Sequence, residues 1–239
     1  MVTITLFKIN PLPQRKDVLK KLKGRKDNFW FEAKISRFNE NEVQIDIWFE
    51  ESVELGLKRA FSDEAYEVLE YLKMNGKERI LRKVYCFLNL DLALIEIYRG
   101  LDNVTWRIKE IIEKSLEVSL TPLSLDSGQL IHLIAKHSVE LKQAMFKNVH
   151  GLWYNILRGR HLEDNVKFKD LLVMRPECLR VISIVPRIRY LNGNGYMVTI
   201  NGDKGTIKMS NGLFKWKPRL EVRQIVSLIA NAAKLPPLF

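Results

Sequence analysis

Three times along the 239-residue chain, two segments of alternating apolar and polar residues precede one whose apolar residues recur at three- and four-residue spacing. That order restricts the fold. Strands that follow one another directly pair most simply as antiparallel neighbours, and each amphipathic helix must then bury its stripe on the sheet. The expected class is α+β: recurring strand–strand–helix units in mostly antiparallel sheets, with a long central helix and a C-terminal β-meander capped by a helix. The units end near residues 75, 117 and 234, but their side chains do not align, so what recurs is the element order.

Val2 to Ile9 alternates like a half-buried strand, and Pro11 and Pro13 stop it. Asp17 to Lys23 can form a short basic helix with Val18, Leu19 and Leu22 inward. Phe29–Phe38 and Glu42–Glu50 read as a hairpin joined by Asn39, Glu40 and Asn41. Its second strand puts Val43, Ile45, Ile47 and Phe49 on one face and Gln44, Asp46 and Trp48 on the other. Ser62 is an N-cap, with Asp63 and Glu64 where the helix dipole favours them. Ala65, Val68, Leu69 and Leu72 then form the inward stripe, and Asn75-Gly76 ends the helix. Strands over Arg79–Leu90 and Leu92–Tyr98 and a helix from Asn103 to Glu117 repeat the order, up to Pro122.

Leu130, Leu133, Ile134, His137, Leu141, Ala144 and Met145 fall on one helical stripe, which predicts a single central helix. Val149, Leu152, Trp153 and Ile156 renew the spacing beyond it. A helix-turn-helix bent at His137-Ser138 is the weaker alternative, because the stripe crosses the supposed turn without changing phase. Arg158 to Asn165 reads as a polar loop. Strands at Val181–Leu191, Tyr196–Ile200, Thr206–Met209 and Leu213–Trp216 follow, separated by Asn- and Gly-rich turns. Pro218 opens a last helix with Val222, Ile225, Val226, Ile229 and Ala233 buried.

Charge then divides the chain. The net charge is +11, yet residues 1–120 hold 21 Lys/Arg against 20 Asp/Glu, whereas residues 121–239 hold 18 against 8. Residues 1–121 therefore read as a near-neutral scaffold or partner-binding region, with self-association possible there, and 122–239 as a basic region facing a polyanion. Strand parity in the meander places Ile182, Ile184, Val198, Ile200, Ile207 and Met209 on an apolar face. The opposite face receives Arg187, Arg189, Lys208, Lys215 and Lys217, with hydroxyls from Ser183, Thr199 and Thr206. Lys204, Arg219 and Arg223 extend the set, and only Asp203 and Glu221 oppose these eight cations between 187 and 223.

Such a surface suits phosphate, because Lys and Arg displace condensed counterions and short hydroxyls bond phosphate oxygens. With Tyr190, Tyr196 and Trp216 on the apolar side, no stacking platform is expected, and duplex DNA is favoured over RNA or single strands. The expected function is a non-enzymatic nucleic-acid-binding protein. The alternatives are an assembly module meeting an acidic protein, with Trp48 as an anchor, and a metal-dependent nuclease using Asp46, Glu50 or His161.

Catalytic and metal signals are weak. His132 and His137 are five apart, off the three- or four-residue spacing that puts two ligands on one helix face. No P-loop, nucleophile elbow or zinc helix is present, and no cofactor is expected. Cys86 and Cys178 lie far apart without a Cys-x-x-Cys pair, as suits a reducing compartment. The longest uncharged run is the 13 residues from Tyr190 to Gly202, too short and too rich in Asn and Gly for a membrane span. A cytoplasmic or nuclear, non-secreted protein is expected.

Overall fold

In a computed structural model, which describes residues 2–58, 60, 62–149, 151–191, 193–210 and 218–236, the chain is an α+β protein built on one 12-stranded antiparallel sheet. The first half runs β1 (Val2–Asn10), α1 (Arg15–Lys21), β2 (Lys23–Lys26), β3 (Phe29–Ile35), β4 (Glu42–Ser52), α2 (Val53–Lys58), α3 (Asp63–Met74), β5 (Arg79–Asn89), β6 (Leu94–Ile97) and α4 (Asn103–Leu116). The second runs β7 (Ser119–Pro122), α5 (Ser127–His137), β8 (Ser138–Val149), β9 (Leu152–Arg158), α6 (Val166–Met174), β10 (Leu179–Pro186), β11 (Val198–Asn201), β12 (Thr206–Met209) and α7 (Arg219–Ala232). Strand order across the sheet is β2-β3-β4-β5-β6-β1-β12-β11-β10-β8-β9, with β7 also paired to β1.

β1 is the seam. Its Phe7 and Ile9 enter a core with α1 and α4, through Val18, Leu22, Ile108, Ile112 and Leu116. Its Ile4 and Leu6, of the other parity, enter a second core with α5, α6 and α7, through Leu130, Leu133, Phe168, Val222, Ile225 and Val226. Because alternate residues of a strand point to opposite faces, the two helical layers cover opposite faces of the sheet. Each half therefore leaves one sheet face open.

The N-cap read from the sequence at Ser62 forms, and two more are present that the sequence reading did not name. Ser62 Oγ accepts the Ala65 N–H at the start of α3, and Asp102 and Asp126 cap α4 and α5 in the same way. The burial of α3 differs from expectation: Leu69 is buried, but Val68 is 60% exposed. α3 packs chiefly on α2 rather than on the sheet.

The central helix is a correction. α5 stops at His137 and residues 138–149 form a strand, so neither the continuous helix nor a helix-turn-helix is present there. Leu152, Trp153 and Ile156, expected to renew the helical spacing, lie instead in β9. The cause is bulging. Gln143 pairs Ser183 while Leu141 pairs Ile184, so Lys142 is an extra residue on β8. The bulge at Lys142 and the left-handed Asn148 (φ +55) together leave the inward residues Leu141, Ala144, Phe146 and Val149 three, two and three apart, which imitates helical spacing. The expected strand at Leu213–Trp216 lies outside the described residues.

Candidate nucleic-acid interface

The open face of the C-terminal half follows from the register. Thr3 stands opposite Lys208 and Thr5 opposite Thr206 between β1 and β12. Thr199 stands opposite Lys208, and Asn201 opposite Thr206, between β11 and β12. Ser183 pairs Thr199 and Gln143, and Val181 pairs Asn201 and Met145, so β11, β10 and β8 continue the same face. β9 closes it with Arg158, Ile156 and Tyr154 opposite Gln143, Met145 and Lys147. The face is thus a field of hydroxyls and amides set with cations. The Ser183 and Thr199 hydroxyls lie 2.8 Å apart in a shared hydrogen bond, and Thr5 Oγ1 donates to the Arg99 carbonyl.

A groove of about 470 Å³ crosses this face, lined among others by Thr3, Thr199, Asn201, Lys204, Thr206 and Lys208. The β11–β12 turn that carries Lys204 is held from both sides. Asn201 Oδ1 accepts the Lys204 N–H at 3.1 Å. The Gly205 carbonyl accepts from Leu6, and the Gly202 carbonyl accepts from Leu125. Gly205 has φ +58, and a Cβ there would lie 2.7 Å from the Leu123 carbonyl oxygen, so only glycine fits. In the same turn Asp203 binds the ammonium of Lys147 and the Arg180 guanidinium, which offsets two cations. Among the described residues no carboxylate lies within ion-pair distance of Lys204 or Lys208.

The expected single patch is divided. β10 ends at Pro186, and the chain leaves the sheet there. The Arg187 N–H donates to the His137 carbonyl and the Arg189 N–H to Gln224 Oε1 on α7. Arg187 and Arg189 therefore stand on the helical side, not on the face that carries Lys208. They line a separate groove of about 600 Å³ with Arg223, Gln224, Leu220 and Leu228. Lys215 and Lys217 lie outside the described residues. Tyr190 and Tyr196 pack on the apolar side, as expected, and β9 adds one tyrosine, Tyr154, at the margin of the surface.

Arg219 is a second correction: it is buried and faces inward. Its guanidinium bonds both Glu42 carboxylate oxygens and both Glu96 oxygens (Nη2–Glu96 Oε1 2.8 Å), donates to Tyr98 Oη at 2.8 Å, and lies 3.9 Å from the Phe87 ring centroid. A guanidinium with five N–H donors can serve both carboxylates at once. Burial alone would favour the neutral arginine, but Glu96 and Glu42 more than reverse this and raise its pKa. Burial likewise lifts the Glu96 carboxyl above its ordinary range, against the pull of Arg219. Arg223 shares Glu42, with Nε–Oε2 at 3.4 Å. These residues tie α7 of the second half to the open face of the first; Arg219 is spent on that contact, whereas Arg223 also lines the groove beside Arg187 and Arg189.

The N-terminal open face is charged but internally paired. Asp46 accepts from Lys34 at 2.8 Å, Lys83 at 3.0 Å and Gln44 at 2.7 Å, and Lys83 also lies over the Trp48 and Tyr85 rings. Burial would raise the Asp46 pKa, but these three hydrogen bonds outweigh it and hold the carboxyl below its ordinary value. Glu50, its expected partner in a cation site, pairs instead with Arg79. A metal at Asp46 would have to displace two ammonium groups.

His132 and His137 meet edge to face at 5.6 Å, although their sequence spacing argued against a shared face; α5 ends at His137 and the backbone turns extended there. Burial, then His132 and Arg187, lower the His137 pKa, so the neutral ring is favoured. His161 faces Glu163 at 3.4 Å on the surface. No helix among the described residues is long and apolar enough to cross a membrane.

Sequence reasoning passed over Thr3, Asn201, Lys147 and Tyr154. The first lies 205 residues from Lys208, which it faces, and the last was hidden by the helical reading of β9. Comparison with protein-family models finds no match to this chain, and a search of curated proteins finds none either.

Proposed function

We propose that the protein is a non-enzymatic nucleic-acid-binding protein that holds the phosphate backbone of duplex DNA against the open sheet face of its C-terminal half. The observation that carries this reading is the groove in which Lys204 and Lys208, without carboxylate partners among the described residues, stand beside the hydroxyls of Thr3, Thr199 and Thr206 and the amide of Asn201. Ammonium groups supply counterion release, and the hydroxyls and amide supply short hydrogen bonds to phosphate oxygens. Six strands at about 4.8 Å separation make a surface about 24 Å wide. That width accommodates roughly seven base-pair steps of about 3.4 Å. One tyrosine at the margin offers a single stacking position, which is less than a single-strand channel uses.

The test is a salt-titrated binding assay on nuclease-treated protein with duplex DNA, single-stranded DNA and duplex RNA. Lys204→Ala with Lys208→Ala should weaken duplex binding and reduce the salt slope by about 1.8, which is about 0.9 per phosphate contact. An unchanged slope in that variant rules out the face. The pair Arg187→Ala and Arg189→Ala examines the other groove by itself, and a larger loss there would move the site to the α7 side.

A protein-assembly reading has one observation in its favour. α3 leaves Tyr66, Val68, Tyr71 and Met74 exposed on a helix that packs only lightly on the rest of the fold. It predicts a stoichiometric protein complex that survives nuclease treatment.

A further inference from the structure

The two ends of the strand order, β2 and β9, are built differently. β2, at one end, presents Lys23, Arg25 and Lys26, with Gly24 at φ +82. Charges and a left-handed glycine discourage another strand from pairing there. β9, at the other end, has the sequence Leu-Trp-Tyr-Asn-Ile-Leu-Arg, with one charged residue, at its last position. Leu152, Trp153, Tyr154 and Ile156 are all exposed, Trp153 at 82% and Ile156 at 47%. Among the described residues β9 hydrogen-bonds to β8 alone, so alternate N–H and C=O groups face outward.

We infer that β9 is a self-pairing edge, and that two copies of the chain join through it as antiparallel strands about a two-fold axis at Asn155. This register uses all seven residues. It sets Tyr154 of each copy opposite Ile156 of the other, and Trp153 opposite Leu157, which are aromatic–aliphatic pairs of the kind that stabilise sheets. Asn155 meets its own copy, amide to amide. Arg158 falls opposite Leu152, so no like charges oppose one another even though each chain carries +11. An isologous contact of this kind closes on itself and ends at a dimer. A two-fold axis perpendicular to the sheet keeps the same face upward in both copies. The two Lys204/Lys208 faces would then lie on one side of a single sheet.

Sedimentation velocity on nuclease-treated protein tests the pairing without any nucleic acid, so it stands or falls separately from the binding proposal. The expected result is a concentration-dependent dimer at protein concentrations up to about 0.2 mM, the range in which a small interface is populated. Salt should tighten it, because screening relieves repulsion between two basic chains. Ile156→Lys, at a half-exposed position, should give a monomer with unchanged circular dichroism and melting temperature. In a Cys178→Ser background, Asn155→Cys should oxidise to a covalent dimer. Directly opposed strand residues have Cα atoms about 4.5–5.5 Å apart, within the disulfide range of about 4.4–6.8 Å. A wild-type monomer throughout this range, a dimer that persists in Ile156→Lys, or an Asn155→Cys variant that stays uncrosslinked would each overturn the inference.

Discussion

On the open face of the N-terminal half, Lys34 and Lys83 converge on one buried carboxylate, Asp46, and Lys83 is further held by two aromatic rings. On the open face of the C-terminal half, Lys204 and Lys208 stand among hydroxyls, and the carboxylate that also lines their groove, Asp102, is paired with Arg99 instead. Both halves lay helices on one face of the same sheet and leave the other open, so the frame does not distinguish them. Pairing does. A lysine already bonded to a buried carboxylate must break that bond to reach a phosphate, whereas an unpaired one has only water to shed. The charge division of the sequence, near zero in one half and strongly positive in the other, therefore matters through where each cation finds its counter-charge.

The largest expected effect concerns the residue that crosses between the halves. Arg219→Met should destabilise the protein by about 3–5 kcal/mol, because Glu42 and Glu96 would be left buried without their cation. Denaturant unfolding measures this, and Arg219→Lys should rescue it poorly because an ammonium lacks the forked geometry. A loss below about 1 kcal/mol would mean that α7 does not tie the halves together through this contact.

Next is Asp46→Asn, with an expected loss of about 1–3 kcal/mol from the removal of charge-assisted bonds to Lys34 and Lys83. The folded-state pKa of Asp46 lies below the ordinary 3.8, so its contribution is complete above the unfolded value and disappears as pH falls through the folded one. The stability gap between wild type and variant should be constant from pH 5 to 7, by about one unit above the ordinary carboxyl range, and close in stronger acid. A gap that persisted there would assign the effect to packing. Smaller still in free energy are the paired comparisons of lysines. Lys204→Ala and Lys208→Ala should each flatten the salt dependence of DNA binding by about one phosphate. Lys34→Ala should leave it unchanged.

Much of the frame was legible in the sequence, for identifiable reasons. Strand β4 keeps two-residue alternation through Val43, Ile45, Ile47 and Phe49, β1 alternates more loosely, and Asn39 to Asn41 marks the turn between β3 and β4. The last helix has Val222, Ile225, Val226 and Ile229 buried at the expected spacing. β8 was illegible because its bulges insert Lys142 and turn an alternating pattern into one that resembles a helix. α6 was missed because its apolar residues form no clear stripe, with Val166 and Val173 outward. At the site, parity correctly grouped Ser183, Thr199, Thr206 and Lys208 on one face. It failed for Arg187 and Arg189 because the strand ends at Pro186, and alternation has no meaning beyond that point. It could not expose the role of Arg219, whose partners Glu42 and Glu96 lie 177 and 123 residues away.

The contrast between paired and unpaired lysines is tested most directly by fluorescence anisotropy of a labelled DNA duplex, titrated with salt, for wild type, the Lys204→Ala/Lys208→Ala variant and Lys34→Ala. Steep salt dependence in wild type and in Lys34→Ala, with a slope shallower by about two phosphates in the double variant, is the expected result. Equal slopes for all three proteins, or no binding at low salt, would contradict it.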